Sequence, residues 1–206
     1  MPRIGVLALQ GDFREHAQSL RDAGAVSVTF VRTPADLETI DALVIPGGES
    51  TAMSKLAIAF EVLEPIRKRI KNGMPVYGSC AGMIMLAEKI IDGRQDQETF
   101  GGLDIVVRRN AFGRQVDSFE ADLHTSILNG ESVKAIFIRA PWVENHGEDV
   151  EVLAKIESGE FTDTVVAVQQ NNVMATSFHP ELTNDLRFHK YFIDLVNNSS
   201  QIRERI

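Results

Sequence analysis

The chain has a single cysteine in 206 residues. One thiol excludes an internal disulfide framework and any zinc site built on several cysteines. No apolar run approaches the roughly eighteen residues of a membrane span. The opening stretch, Met1 to Gln10, has too short an apolar run for a signal peptide. Basic charge is also scarce: 21 Lys and Arg stand against 29 Asp and Glu, a net charge of -8, with no basic run to offset it. That balance argues against a nucleic-acid surface. The sequence also lacks internal repeats, low-complexity segments and linkers, so one domain spanning residues 1–206 is expected, with neither nucleic acid nor membrane as partner. A cysteine that must stay free fits a reducing, cytoplasmic compartment.

What the chain does have is an alternation of short apolar runs and amphipathic stretches. Ile4 to Leu9 reads as a strand buried on both faces, followed by a helix from Phe13 to Ala23 with Asp12 as its N-cap. Val26 to Val31 and Ala42 to Ile45 read as further strands, with a helical turn opened by Pro34 and Asp36 between them. Ser50 or Thr51 can cap the next helix, which is expected to run on through Phe60 to Lys71. Pro75 to Gly78 is a fourth strand and Ala81 to Ile90 a helix. The second half changes character. Leu103–Val107, Phe119–Leu123, Val133–Ile138, Val150–Ile156, Thr164–Gln169 and Val173–Ser177 are strand-like, with turns such as Asn129-Gly130 between them. A last helix is expected from Asn184 to Val196, followed by a frayed tail. The fold class is α/β: a three-layer, open, mostly parallel sheet with helices on both faces and antiparallel additions in the second half.

The cysteine sits where strand four meets its helix, in Gly78-Ser79-Cys80-Ala81-Gly82. This is a nucleophile elbow with sulfur in place of oxygen. A sharp strand-to-helix turn strains its middle residue and needs glycine on both sides, and the helix start favours thiolate. The bland reading, a buried cysteine filling space, is common for a lone thiol. A reactive one needs a base. His16, His124, His146 and His189 are better read as packing or surface residues. His179 differs, because it follows the strand Val173–Ser177 at its carboxyl end, where open α/β sheets place their chemistry. Glu181, two residues on across the stiff Pro180, can orient the imidazole. Cys80, His179 and Glu181 then complete a nucleophile, base and orienting acid. A metal pair at His179 and Glu181 lacks a third ligand at usual spacing, and no metal is expected.

Pro46-Gly47-Gly48-Glu49-Ser50, the cysteine elbow and His179-Pro180-Glu181 together resemble the class I, triad-type glutamine amidotransferases. Leu9-Gln10-Gly11-Asp12 with Glu15-His16, Arg109-Asn110-Ala111-Phe112-Gly113-Arg114-Gln115 and Phe137-Ile138-Arg139-Ala140-Pro141 resemble, more narrowly, the glutaminase subunits of pyridoxal 5'-phosphate synthase. The resemblance covers essentially the whole chain. It implies hydrolysis of L-glutamine to glutamate and ammonia, with the ammonia passed to a separate barrel-shaped synthase subunit. Pyridoxal phosphate would be the product of that assembly, and no cofactor is implied for this chain. The resemblance further implies glutamine contacts at Gly47, Gly48, Glu49, Arg109, Ile138 and Arg139. Gly48 and Ala81 would donate to the oxyanion, and the loop of Gln10 is assigned to the synthase interface. The alternatives are a glutaminase serving another acceptor and a cysteine peptidase or hydrolase of similar fold.

Overall fold

The computed structural model describes residues 2–112, 118–128 and 131–203. The Asn129-Gly130 turn and the Gly113-Arg114-Gln115 end of one motif lie outside them. Strands β1 (Arg3–Leu7), β2 (Ser27–Val31), β3 (Ala42–Ile45) and β4 (Val76–Ser79) alternate with helices α1 (Phe13–Asp22), α2 (Pro34–Glu38), α3 (Ser50–Ala59) and α4 (Leu63–Lys71). There follow α5 (Ala81–Leu86), β5 (Ala87–Ile91), β6 (Leu103–Arg108), β7 (Ser118–His124), β8 (Ser132–Ile138), β9 (Trp142–His146), β10 (Glu151–Lys155), β11 (Val165–Gln170), β12 (Val173–Thr176) and α6 (Arg187–Arg203). The main sheet runs β2-β1-β3-β4-β12-β11-β9-β6-β5, with β10 on β11. From β2 to β12 it is parallel, and β12 and β11 form an antiparallel hairpin. The expected α/β architecture, mostly parallel with antiparallel additions, is what forms.

Alternation along the strands builds two cores. Leu43 and Ile45 of β3 face the cluster under α2 to α5, which includes Met53, Ala57 and Ile66. Ala42 and Val44 face the other side, where Leu20 of α1 and Phe188 and Phe192 of α6 close over the sheet. The β7–β8 ribbon is separate from the main sheet and packs through aromatic rings: Phe119 stacks on Phe137 at 4.5 Å, and Phe112 meets Trp142 edge-on at 5.3 Å. The helical turn expected at Pro34 and Asp36 forms as α2, and Thr33 and Asp36 close a capping box around its start.

Four expectations about helices and strands need correction. The helix after β3 is capped by Glu49, not by Ser50 or Thr51: its carboxylate accepts from the Thr51 and Ala52 backbone amides. That helix also breaks before α4. Val62 N–H bonds to the Ala57 carbonyl and Glu61 N–H to that of Ile58, with Glu61 at φ 57, a Schellman ending made without the usual glycine. Third, α5 stops at Leu86 and Ala87–Ile91 becomes a strand beside β6. The Met85 carbonyl, which a longer helix would pair internally, is taken by the amides of Phe100 and Gly101. Last, α6 starts at Arg187 and continues past Val196 to Arg203, pinned where the buried Ser199 hydroxyl bonds Asn172 Oδ1 at 3.1 Å. Strand β9 was not expected at all, because its Glu144, Asn145 and His146 are exposed and polar.

The elbow glycines are required by contact. A Cβ on Gly82 would lie 2.3 Å from the Ile45 carbonyl oxygen, and one on Gly78 would lie 2.6 Å from Gly82. Gly82→Ala should therefore push β3 from the elbow and cost about 1–3 kcal/mol, as overpacking does. Urea unfolding measures this, and an unshifted midpoint would contradict the packing.

Candidate active site

The parallel order β1-β3-β4-β12 brings four strand ends side by side. Each contributes a loop: Gln10 to Asp12 after β1, Gly47 to Glu49 after β3, Cys80 after β4 and His179 after β12. Cys80 has φ 48 and ψ -102, the strained turn expected of an elbow, and its N–H bonds the Thr176 carbonyl of β12 at 2.8 Å. His179 is held from the other side by β8, its N–H bonding the Ile136 carbonyl at 2.9 Å.

These loops surround a cavity of about 440 Å³ lined by Cys80, His179, Gly48, Glu49, Arg109, Ile138 and Arg139, together with Asp12 and Leu182. All but four of the residues singled out in the sequence therefore share one wall. Glu181 lies behind His179, its Oε1 2.7 Å from His179 Nδ1. Gly47 backs the same ring so closely that a Cβ there would be 2.4 Å from His179 Cε1. Ala81 opens α5 next to Cys80. Gln10 stands behind the Gly48 turn, its Oε1 accepting from Glu49 N–H at 3.2 Å. The Cys80 sulfur lies 3.9 Å from the Ile138 carbonyl oxygen, and Arg139 turns the chain there at φ 43.

The carboxylate of Glu181 accepts, so Nδ1 of His179 carries the proton and Nε2 is left for the sulfur. Burial works against a charged imidazole, but hydrogen bonds and charge from Cys80 and Glu181 outweigh it and push the His179 pKa up to about 10. Burial also opposes charge on Glu181, yet the His16 and His179 rings hold it well below the usual carboxylate range. Asp12, the expected N-cap of α1, makes no cap hydrogen bond. Its carboxylate sits 3.6 Å from His179 Nδ1, with burial and the nearby Glu181 charge raising its pKa. Asp12, His179 and Glu181 offer ligand atoms within 4.8 Å of one another. A protonated Nδ1 has no lone pair to give a cation, so the geometry is that of an acid–base pair.

Arg109 is fixed at the cavity wall. Its Nη2 bonds Glu49 Oε1 at 2.9 Å, and its Nη1 bonds Thr51 Oγ1 at 3.0 Å and Gln97 Oε1 at 3.1 Å. Burial opposes ionisation of Glu49, but the capping amides and Arg109 lower its pKa. Both Glu49 carboxylate oxygens are thus spent within the protein.

Sequence reading gave His16 only a packing or surface role. It is fully buried, as packing requires, but its Nε2 lies 2.7 Å from Ser79 Oγ and 3.3 Å from Glu181 Oε2, and its Nδ1 lies 3.1 Å from His189 Nε2. The one signal for it was the Glu15-His16 pair in the narrower resemblance. His124 and His146, read as packing or surface residues, end β7 and β9.

These groups set a pH optimum for stability. His179, raised from 6.5 to about 10, contributes stability that is lost as pH rises through that interval. His189 is lowered from 6.5 to about 3, chiefly by burial and then by His16, and its contribution is lost as pH falls through that interval. Glu181 adds to the acid-side loss only below its ordinary 4.5. His189→Phe should therefore flatten the fall in urea midpoint between pH 6.5 and 4.5. An unchanged acid slope would show that His189 is not held neutral.

A family model described as the SNO glutamine amidotransferase family matches residues 6–198. The pyridoxal 5'-phosphate synthase subunit PdxT of Acidothermus cellulolyticus is 59% identical over 201 residues, covering 98% of this chain and 97% of that protein. The subunit of the same name from Rhodococcus opacus is 56% identical over 197 residues, covering 95% and 97%. A crystal structure of a glutamine amidotransferase matches with TM-score 0.86 at 47% identity, covering 94% of this chain and 98% of that one. A putative GMP synthase protein from Thermoplasma acidophilum, 19% identical, shares the fold at TM-score 0.68 over 99% of this chain and 98% of that one. The chain belongs to the SNO glutamine amidotransferase family.

Proposed function

We propose that Cys80, His179 and Glu181 carry the glutaminase reaction of this chain, with Cys80 as nucleophile. The chain hydrolyses L-glutamine to glutamate and ammonia and supplies the ammonia for pyridoxal 5'-phosphate synthesis by a partner synthase subunit. The observation that carries the residue assignment is the cavity itself, where sulfur, imidazole and a fixed guanidinium line one wall and Glu181 stands bonded behind the imidazole.

The geometry supports the following steps. Cys80 sulfur attacks the side-chain amide carbon of glutamine, and the carbonyl oxygen becomes an oxyanion, which the backbone N–H groups of Ala81 and Gly48 stabilise. The C–N bond then breaks as His179 Nε2 gives its proton to the departing ammonia. Water cleaves the glutamyl thioester, with His179 taking the proton back, and glutamate leaves. Glu181 stabilises the imidazolium and fixes its tautomer. Arg109, in the wall of the cavity, pairs with the substrate α-carboxylate, while Gly47, Gly48, Glu49, Ile138 and Arg139 contribute backbone contacts. Glu49 enters through its main chain, because its side chain is committed to α3 and Arg109.

The partner is a barrel-shaped synthase. The loop of Gln10 faces it, and because Gln10 bonds Glu49 N–H, docking there would reach the Gly47–Gly48 turn directly. Among the described residues no helix is long and apolar enough to cross a membrane, and we place the reaction in the cytoplasm, in one glutamine amidotransferase domain. Relatives named PdxT speak against another acceptor and against a peptidase.

With a matching synthase present, Cys80→Ala should release no glutamate from glutamine above background. Release at the native rate would refute the nucleophile. Arg109→Ala should raise KM for glutamine more than tenfold, an estimate of about 1.4 kcal/mol of lost binding, with a smaller fall in kcat. An unchanged KM would remove Arg109 from the substrate site.

A further inference from the structure

Behind Glu181, away from the cavity, lies a buried polar string that the reaction steps above do not use. Glu181 gives Oε1 to His179, while its other oxygen, Oε2, is buried without a hydrogen bond among the described residues. A bare carboxylate oxygen out of water is costly. The group standing against it is His16 Nε2, 3.3 Å away and outside hydrogen-bonding angle, with its shorter contact of 2.7 Å to Ser79 Oγ.

Proton placement follows from these neighbours. A lone pair on His16 Nε2 would face the carboxylate, so Nε2 carries the hydrogen. Its Nδ1 is then placed to accept the N–H of His189 Nε2 at 3.1 Å. His189 is neutral, its pKa lowered to about 3 chiefly by burial, and its buried Nδ1, which has no partner, is the lone-pair nitrogen that needs no acceptor. One arrangement of hydrogens thus gives both bonds of the His16 ring a donor and an acceptor and turns its N–H side toward Glu181.

Ser79 directly precedes Cys80, whose backbone is held at φ 48. One N–H therefore stands between the two arms of the site, the strand end that carries the sulfur and the acid that aims the imidazole. We propose that His16 is a positioning residue for the glutaminase reaction: its Nε2–H bonds Ser79 Oγ and stands against Glu181 Oε2, and so fixes the sulfur and the imidazole relative to one another. The proposal rests on the assignment of Cys80, His179 and Glu181 above.

The test compares His16→Leu, His16→Gln and His16→Asn in the complex with the synthase, with Cys80→Ala alongside. Leucine keeps the packing and removes the N–H. The glutamine amide nitrogen reaches the place of Nε2, whereas asparagine stops short. His16→Leu should lower kcat by about a hundredfold, the cost of a small misplacement, with KM for glutamine within about threefold of native. The acid limb of kcat should move to higher pH as Glu181 loses a stabilising neighbour. The groups facing Glu181 are Asp12, Glu15 and His16 from the β1–α1 segment, Tyr77 from β4, His179 and His189, and only His16 changes. His16→Gln should recover kcat to within about threefold of native and restore the limb, and His16→Asn should not. Native kcat and an unmoved limb in His16→Leu would overturn the proposal, as would His16→Gln being as slow as His16→Leu. Should His16→Leu fail to fold, the Gln and Asn pair decides: equal rates for the two sink the N–H role. Glutamate release by Cys80→Ala would instead refute the underlying assignment.

Discussion

The hydrogen bond from His179 Nδ1 to Glu181 Oε1, 2.7 Å long and shielded from water, is the constraint on which the rest of the site depends. A carboxylate buried this deeply stays ionised only if its surroundings offset the desolvation. His179 does so on the cavity side and His16 on the other. The return is a fixed imidazole: its tautomer is set, its second nitrogen is aimed at the sulfur, and its proton is retained through neutral pH. Removing either partner would leave the other buried without compensation. Through His16, α1 touches both Glu181 and the residue before Cys80, which is the basis of the positioning role proposed for it.

The sheet order turns this local constraint into a site. Strands β1, β3, β4 and β12 are neighbours in space but distant in sequence, so loops from residues 10 to 179 meet at one edge. Close backbone approach then links them. A Cβ on Gly11 would lie 1.8 Å from the Gly47 oxygen, and Asp12 N–H bonds that same carbonyl at 3.3 Å. Gln10 holds the Glu49 amide, Glu49 caps α3, and the same carboxylate fixes Arg109. A displacement at the first loop would therefore be felt at the Gly47–Gly48 turn and at the guanidinium across the cavity. On the proposal that the synthase docks at the Gln10 loop, this is the physical route by which it would reach the Gly47–Gly48 turn.

Much of this was legible in the sequence where a residue type has one structural use. Continuous apolar runs gave the parallel strands, glycines around Cys80 gave the elbow, and Pro34 with Asp36 gave the helical turn of α2. The elements misread are those decided by tertiary partners. Glu61 ends α3 in a left-handed turn that propensity assigns to glycine, and Ala87–Ile91 leaves the helix because its preceding carbonyl is captured by the distant Phe100 and Gly101. His16 and Glu49 were hidden for a similar reason. A histidine on an amphipathic helix and a glutamate before a helix each have ordinary roles, and only the fold shows that one touches Glu181 and the other caps α3.

The central claim is that Glu181 and the sulfur together keep His179 protonated and oriented in the resting protein. Nitrogen-15 NMR of the histidine-labelled native chain, titrated with pH, tests it most directly. The account predicts a His179 Nδ1 proton that is protected from solvent and an imidazole that loses its charge only near pH 10. A His179 ring that titrates at its ordinary 6.5, with an Nδ1 proton in fast exchange, would contradict it.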